Sequence, residues 1–174
     1  MSMQHNNIVL VGFMGTGKST VGRFLAEKLS WELIDTDHYI EKQEEMSIAE
    51  LFTKHGEVYF REIETRAIQS IMVKSNQVIA TGGGAVLAEA NRVCLKENGF
   101  VVALTASLET IIQRVGGDRN RPLLLGKAAE IVPQLLQKRK HAYDFADYTI
   151  STDRLRIEFI AQRLLVAYRK QTKG

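Results

Sequence analysis

The residues from Gly12 to Ser19 are the part of this chain whose types and spacing most directly suggest chemistry. They read Gly-Phe-Met-Gly-Thr-Gly-Lys-Ser and fit the pattern G-x-x-x-x-G-K-[ST] at every fixed position. Glycines in such a loop let successive backbone N–H groups converge on phosphate oxygens, and the helix that follows adds its positive dipole end. Lys18 can reach the β- and γ-phosphates of ATP, and the hydroxyl of Ser19 can ligate Mg²⁺. The candidate ATP-binding residues of this loop are Gly12, Gly15, Thr16, Gly17, Lys18, Ser19 and Thr20.

The context of this motif favours a phosphate-binding loop, or P-loop, over a simple turn. A glycine turn that joins a strand to a helix and exposes a lysine is the structural alternative. The motif, however, follows an apolar strand pattern and precedes an amphipathic helix pattern, as phosphate binding requires. A P-loop alone does not distinguish a kinase from a GTPase, a motor or a regulator.

Two carboxylates, Asp35 and Asp37, follow the second apolar segment of the chain. If the chain is extended there, residues two apart point the same way. One carboxylate could hold the metal through water, and the other could accept a hydrogen bond or a proton from a substrate hydroxyl. Aspartate is also favoured at helix N-caps, so Asp37 could instead cap the helix that follows it. The spacing leaves both interpretations of Asp37 open.

Three consecutive glycines, Gly82, Gly83 and Gly84, follow another apolar segment. They offer three backbone amides without side-chain obstruction, which suits the close approach of a ligand. A loop that needs unusual backbone angles is the alternative, and the two interpretations are compatible.

Apolar segments that alternate with helical patterns must position these groups. The predicted strands are residues 8–11, 32–34, 77–80, 100–104 and 148–150, and the predicted helices are 18–29, 39–55, 57–73, 88–98, 107–115, 129–143 and 155–169. Ser47 and Glu50 have capping-box spacing, which predicts a second helix start inside 39–55. Gly99 is predicted to be a C-cap. The alternation predicts an α/β protein with three layers, α/β/α, around a five-stranded parallel sheet.

The amino-acid composition limits the classes of protein to which this chain can belong. The 174 residues are 45% hydrophobic and 25% charged, which is typical of one globular domain, here residues 1–174. One cysteine, a polar segment at residues 1–7 and no long apolar stretch predict a cytoplasmic protein without a disulfide or membrane segment. A net charge of +3 and 7% aromatic residues argue against a nucleic-acid partner.

Short motifs in order along almost the whole chain resemble those of the shikimate kinase family. Besides the P-loop they are Asp35-Thr36-Asp37, Gly56-Glu57-x-x-Phe60-Arg61-x-x-Glu64, Gly82-Gly83-Gly84, Arg121-Pro122-Leu123-Leu124 and Arg139-x-x-x-Tyr143. The resemblance implies a P-loop kinase fold like that of nucleoside monophosphate kinases, active as a monomer. It also implies substrate-binding helices at about 38–75 and a lid at about 114–127. One departure lies at residues 44–48, which lack the glycine that the family usually has before its Ser-Ile pair.

The resemblance also implies roles on the substrate side. Arg61 and Arg139 would bind the carboxylate of shikimate, and Glu64 would orient Arg61. Asp37 would bind the ring hydroxyls and is the candidate base, and the segment 82–84 would line the floor. Without the family pattern, an arginine on a helix is more often solvated or salt-bridged.

On the nucleotide side, the resemblance implies that Lys18 and Arg121 neutralise the transferring phosphoryl group, with Arg121 delivered by lid closure. Arg114 would contact the adenine, and Asp35 would lie near Mg²⁺, together with Ser19. The implied reaction is phosphorylation of shikimate by ATP.

Two other classes of function compete with this one. A gluconate kinase would share the P-loop but should lack Asp35-Thr36-Asp37 and the Phe60-Arg61 pair in this arrangement. A nucleoside monophosphate kinase would need a pocket for a base and a second phosphate. A non-catalytic nucleotide-binding or nucleic-acid-binding module would keep the P-loop without turnover.

Overall fold

The computed structural model describes residues 6–117, 124 and 126–172. Its strands are β1 (Asn7–Gly12), β2 (Glu32–Asp35), β3 (Gln77–Ala80), β4 (Phe100–Thr105) and β5 (Tyr148–Ser151). All described strand pairs are parallel, and the sheet order is β2-β3-β1-β4-β5. The predicted five-stranded parallel sheet is therefore confirmed.

Helices cover both faces of this sheet. They are α1 (Lys18–Leu29), α2 (Thr36–Glu44), α3 (Ile48–Met72), α4 (Glu89–Asn98), α5 (Leu108–Gly116), α6 (Ala128–Lys138) and α7 (Ile157–Thr172), and a short 3-10 helix, Ala85–Leu87, precedes α4. None of the helices in the described ranges is long and apolar enough to cross a membrane.

The central strand β1 shows why the molecule has three layers. All six of its residues are buried, and neighbouring side chains point to opposite faces. The face with Ile8 and Leu10 packs against α1 and α7. The face with Val9 and Val11 packs against α3 and α4. The predicted α/β/α layering is confirmed.

The predicted second helix start inside residues 39–55 is confirmed, because two helices share that segment. α2 ends at Glu44, and its C-cap, Glu45, has a left-handed φ of 52°. α3 begins after Ser47, whose hydroxyl accepts the N–H of Glu50, while the Glu50 carboxylate accepts the N–H of Ser47 at 2.9 Å. The predicted capping box is thus confirmed. The turn that lacks the family's glycine is closed by Glu45, in a conformation that glycine adopts more readily.

One further predicted helix end is confirmed and another is wrong. α4 ends at Asn98 with Gly99 as its C-cap, as predicted, although the φ of Gly99 is −161°, which is extended and not left-handed. A Cβ at Gly99 would lie 2.7 Å from Cγ2 of Val9, so glycine is needed there for space. α6 ends at Lys138 and not near Tyr143, which places Arg139 at the C-cap and not on the helix.

Asp147 joins three elements at the amino end of the sheet. One carboxylate oxygen accepts the Val101 N–H at 2.8 Å, and the other accepts hydrogen bonds from Lys96 Nζ and Gln171 Nε2. Burial acts to raise the pKa of Asp147, but the hydrogen bonds from Lys96, Val101 and Gln171 outweigh it and hold the pKa below its usual value. The ionised carboxylate therefore stabilises the fold.

We predict that Asp147→Asn lowers the free energy of unfolding at pH 7 by about 2 kcal/mol, because one of the donors then faces an amide NH₂ group. A lowered pKa in the folded state gives stability that is complete above the unfolded pKa of about 4 and is lost as the pH falls through the folded pKa. Urea unfolding from pH 7 to pH 3 should show the difference shrink below about pH 4. Glu27→Gln, at an exposed position on α1, is the control. If the difference in the free energy of unfolding between Asp147→Asn and the wild type does not change with pH, the prediction is contradicted.

Candidate active site

The candidate site lies at the carboxyl ends of three neighbouring strands, β2, β3 and β1. Ligands of open α/β sheets bind at this edge. A cavity of about 360 Å³ opens there. It is lined by Met14, Gly15, Gly17, Lys18, Ser19, Thr20, Asp35, Asp37, Thr81, Gly82, Gly83, Gly84 and Arg139. The fold thus brings the P-loop, the two aspartates, the glycine segment and one predicted arginine into one cavity.

The P-loop surrounds the ammonium group of Lys18. Lys18 Nζ donates to the carbonyl oxygens of Gly12 and Phe13 at 2.7 and 2.9 Å. The loop turns at Gly15 and Gly17, whose φ values of 76° and 96° favour glycine. The positive charge is therefore held within the loop, where it can balance phosphate charge.

Asp35, and not Asp37, is the N-cap of α2. Its Oδ1 accepts the backbone N–H groups of Asp37 and His38 at 3.1 and 3.2 Å. The capping interpretation of Asp37 is therefore wrong, because Asp37 lies inside the first turn of the helix. The two aspartates also do not share one extended segment, so the expected parallel orientation does not apply.

Ser19 and Asp35 form the candidate metal site. The Ser19 hydroxyl donates to Asp35 Oδ2 at 3.1 Å, on the carboxylate oxygen that does not cap α2. A hydroxyl and a carboxylate are oxygen donors of the kind that Mg²⁺ prefers, usually together with water and substrate phosphates. The described residues contain no cluster of three or more His, Cys, Asp or Glu side chains that could hold a metal alone. The donor set therefore fits an ion that arrives with a nucleotide.

Each of the three consecutive glycines lies against one predicted substrate-binding side chain. A Cβ at Gly82 would lie 2.7 Å from Asp37 Oδ1, and a Cβ at Gly84 would lie 2.6 Å from Arg61 Nη2. A Cβ at Gly83 would make an ordinary 3.5 Å contact with Arg139 Nη1. None of the three glycines has a positive φ, so the alternative interpretation, a loop that needs left-handed backbone angles, does not apply. Gly82 and Gly84 therefore provide space for Asp37 and Arg61, whereas Gly83 would tolerate a Cβ beside Arg139.

Two further residues, Thr36 and Tyr143, hold this glycine segment in place. The Gly82 N–H donates to Oγ1 of Thr36, which is fully buried, at 2.9 Å. The Tyr143 hydroxyl donates to the Gly83 carbonyl at 3.0 Å, and burial raises the pKa of Tyr143. Sequence reasoning missed both roles, although both residues lie within the motifs of the family resemblance. The two bonds tie the segment to the chain beside Asp37 and to the chain after α6.

Arg61 is held by a buried carboxylate. Arg61 Nη1 lies 2.8 Å from Glu64 Oε2, and Glu64 is 1% exposed. Burial raises the pKa of Glu64, against the lowering effect of Arg61. Glu57, at 3.5 Å from Arg61 Nη2, adds a second and more exposed ion pair. The predicted orienting role of Glu64 has the required geometry.

Arg139 lies against Gly83, next to the glycine that contacts Arg61. Its guanidinium carbon is 5.6 Å from the ring centre of Phe13, a residue of the P-loop. This distance is typical of a cation–π contact. The contact connects Arg139 to the P-loop.

Arg114 lies beside the P-loop, in the last turn of α5 and not in a loop. Its Nη1 donates to the Gly15 carbonyl at 3.0 Å and to Thr152 Oγ1 at 3.1 Å. Arg121, the other predicted nucleotide-side arginine, lies outside the described residues, as does half of the predicted lid.

Arg61 and Glu64 come from the second half of α3, which is broken at Gly56. Gly56 has φ 79° and ψ 174°, an angle pair that is essentially restricted to glycine. No atom lies within 4 Å of a Cβ built there. The break therefore depends on backbone freedom and not on space.

Comparisons with known proteins point to one family. A sequence model of the shikimate kinase family matches residues 14–169. The chain is similar to a shikimate kinase of Thermodesulfovibrio yellowstonii, with 44% identity over 169 residues that cover 97% of this chain and 98% of that protein. It is also similar to the solved structure of shikimate kinase from Acinetobacter baumannii in complex with shikimate, with a TM-score of 0.89, 41% identity and coverage of 95% and 93%.

A more distant likeness concerns the fold alone. A gluconokinase from Sinorhizobium meliloti superimposes with a TM-score of 0.61 at 15% identity, covering 98% of this chain and 95% of that one. The predicted P-loop kinase fold is confirmed by these structures.

We predict that Gly56→Ala lowers the free energy of unfolding by about 1–3 kcal/mol, because alanine must adopt a backbone conformation reserved for glycine. Gly117→Ala is the matched control, since Gly117 also has open space around its Cβ but an ordinary φ of −99°. The control should be neutral or slightly stabilising. Equal effects of both variants in urea unfolding would show that the backbone angles of Gly56 are not the constraint.

Proposed function

The chain belongs to the shikimate kinase family, and from that premise we propose that the protein transfers the γ-phosphate of ATP to the 3-hydroxyl of shikimate. The products are shikimate 3-phosphate and ADP, a step towards chorismate and the aromatic amino acids. The observation that carries the proposal is the convergence of Asp37, Arg61 and Arg139 on the glycine segment beside the P-loop. The likeness to a gluconokinase concerns the fold and does not favour gluconate as the acceptor.

The two arginines and the aspartate match the polarity of shikimate, which carries a carboxylate and three hydroxyls. Arg61 and Arg139 bind the carboxylate, because planar guanidinium groups bind carboxylates with paired hydrogen bonds. The ion pair with Glu64 orients Arg61. Asp37, which lies against Gly82 while Arg61 lies against Gly84, binds the ring hydroxyls.

Asp37 is also the group best placed to take a proton. As the 3-hydroxyl oxygen bonds to the γ-phosphorus, the hydroxyl proton moves to the Asp37 carboxylate and the bond to the bridging oxygen of ADP breaks. Phosphoryl transfer needs little covalent help from the protein, so orientation of the hydroxyl accounts for most of the contribution of Asp37.

The nucleotide binds along the P-loop. Backbone N–H groups of Gly12, Gly15, Thr16 and Gly17, with Ser19 and Thr20 at the start of α1, contact the phosphates. Lys18 and Arg121 neutralise charge on the transferring phosphoryl group, and Arg114 contacts the adenine side of the nucleotide. The position of Arg114 against the Gly15 carbonyl supports this placement.

Mg²⁺ would be held by the Ser19 hydroxyl and, directly or through water, by Asp35. When bound, the ion supplies positive charge that offsets the charge on the phosphate oxygens. The 3.1 Å contact between Ser19 and Asp35 supports this pair as the protein's share of the site.

We further propose a cytoplasmic monomer with no nucleic-acid or membrane partner. All the proposed ligand groups belong to one chain, so no second subunit is needed to complete the site. A single cysteine fits a reducing compartment, and a net charge of +3 gives little attraction for nucleic acid.

The first test is a coupled assay of ADP release with ATP and Mg²⁺, in which shikimate, gluconate and a nucleoside monophosphate are compared. We expect strong stimulation by shikimate alone. If another acceptor stimulates ADP release and shikimate does not, the protein is still a kinase but shikimate is not its substrate. ATP binding without turnover in any of the three mixtures would favour a non-catalytic module.

We predict that Gly84→Ala raises the KM for shikimate at least tenfold and leaves the KM for ATP nearly unchanged. A methyl group at Gly84 would overlap the flexible end of Arg61, so it should displace the guanidinium without unfolding the chain. The control is Gly117→Ala, at a glycine that does not line the cavity and has no atom within 4 Å of a Cβ built on it. A KM for shikimate that stays unchanged in Gly84→Ala would argue against Arg61 as a carboxylate ligand.

A further inference from the structure

Thr152, the residue after β5, carries a buried hydroxyl to which the proposed function assigns no role. The residue is 4% exposed. Its Oγ1 donates to the carbonyl oxygen of Thr16 at 2.9 Å, with the Thr105 carbonyl as a more distant acceptor at 3.2 Å. The Thr105 carbonyl already accepts the backbone N–H of Thr152 at 2.8 Å. The shorter contact therefore connects a residue near the end of the chain to the P-loop.

The Thr16 carbonyl, which accepts this hydrogen bond, sets the direction of the next backbone N–H group in the P-loop. A trans peptide is planar, and its C=O and N–H bonds point in opposite directions. The Thr16 carbonyl shares its peptide plane with the N–H of Gly17. A carbonyl held towards Thr152 turns the Gly17 N–H the other way, and Gly17 lines the candidate site cavity. The Thr152 hydroxyl thus fixes the direction of one phosphate-binding amide.

Arg114 contacts the same hydroxyl but has other acceptors. Arg114 Nη1 also donates to the Gly15 carbonyl at 3.0 Å, and Nη2 donates to the Thr152 carbonyl at 3.4 Å. These two bonds do not involve the Thr152 side chain. Loss of the hydroxyl therefore affects the Thr16–Gly17 peptide more than it affects Arg114.

We propose that Thr152 is a positioning residue for the nucleotide phosphates, and that it acts by orienting the Thr16–Gly17 peptide. The proposal rests on the proposed function only in taking the P-loop as the phosphate site. It concerns nucleotide binding and does not depend on which metabolite accepts the phosphate.

The test compares Thr152→Val, which is nearly isosteric but has no hydroxyl, with Thr152→Ser, which keeps the hydroxyl. Thr149→Val is the matched control, because Thr149 is an exposed threonine of β5. Dissociation constants for ADP and for adenosine are measured by calorimetry or competition, on protein shown to be folded by circular dichroism and thermal unfolding.

We expect Thr152→Val to weaken ADP binding about tenfold, which corresponds to about 1.4 kcal/mol. Adenosine, which has no phosphate, should bind with less than a twofold change, and Thr152→Ser should restore ADP binding. Equal weakening of ADP and adenosine would overturn the proposal in favour of an effect on Arg114. Unchanged ADP binding with lower thermal stability would overturn it in favour of a purely structural hydroxyl.

The ADP dissociation constant of the wild-type protein, taken together with the coupled assay of ADP release, separates this proposal from the proposed function. If the wild-type protein binds ADP tightly but does not phosphorylate shikimate, the substrate assignment is wrong. The role of Thr152 in ADP binding can still be tested in that case. Wild-type protein with no ADP affinity would contradict both.

Discussion

Burial of β1 on both faces is the constraint on which the rest of the molecule depends. The strand has helices above and below it and a strand on each side, so its position and direction are fixed by four sets of contacts. Its carboxyl end becomes the P-loop, and the ends of β3 and β2 lie next to it. The glycine segment and the aspartates are therefore set against the P-loop by the same hydrophobic packing that holds the fold together.

Glycine serves two different purposes around this site. Gly15, Gly17 and Gly56 have backbone angles that favour glycine, and they shape the loop and the break in α3. Gly82 and Gly84 have ordinary angles and are needed because a side chain would overlap Asp37 or Arg61. The second group works by leaving room, so the side chains of Asp37 and Arg61 can approach the backbone closely. Hydrogen bonds from Gly82 to Thr36 and from Tyr143 to Gly83 hold this glycine segment in place beside Asp37 and Arg61.

Local patterns predicted most of the fold but only part of the site. Strand alternation, the P-loop spacing and the capping box at Ser47 are short-range signals, and the structure confirms each of them. Which of Asp35 and Asp37 caps α2 depends on where the helix starts, which their spacing does not decide. The contacts of Thr152 with Thr16 and of Tyr143 with Gly83 join distant parts of the chain, so no local pattern indicates them. The ligand roles of Arg61 and Arg139 came from the family resemblance.

The pairing of β1 also determines when this strand can enter the sheet as the chain folds. Ile8 pairs with Val78 on one side and with Phe100 on the other, so the first strand has no partner among its near neighbours in sequence. During synthesis from the N-terminus, this apolar segment must wait until β3, at residues 77–80, has emerged before it can enter a sheet. Such long-range pairing is slow to form and leaves an unpaired, aggregation-prone strand in the meantime. The arrangement that holds the phosphate loop firmly in the finished enzyme is thus the one that exposes the nascent chain for longest.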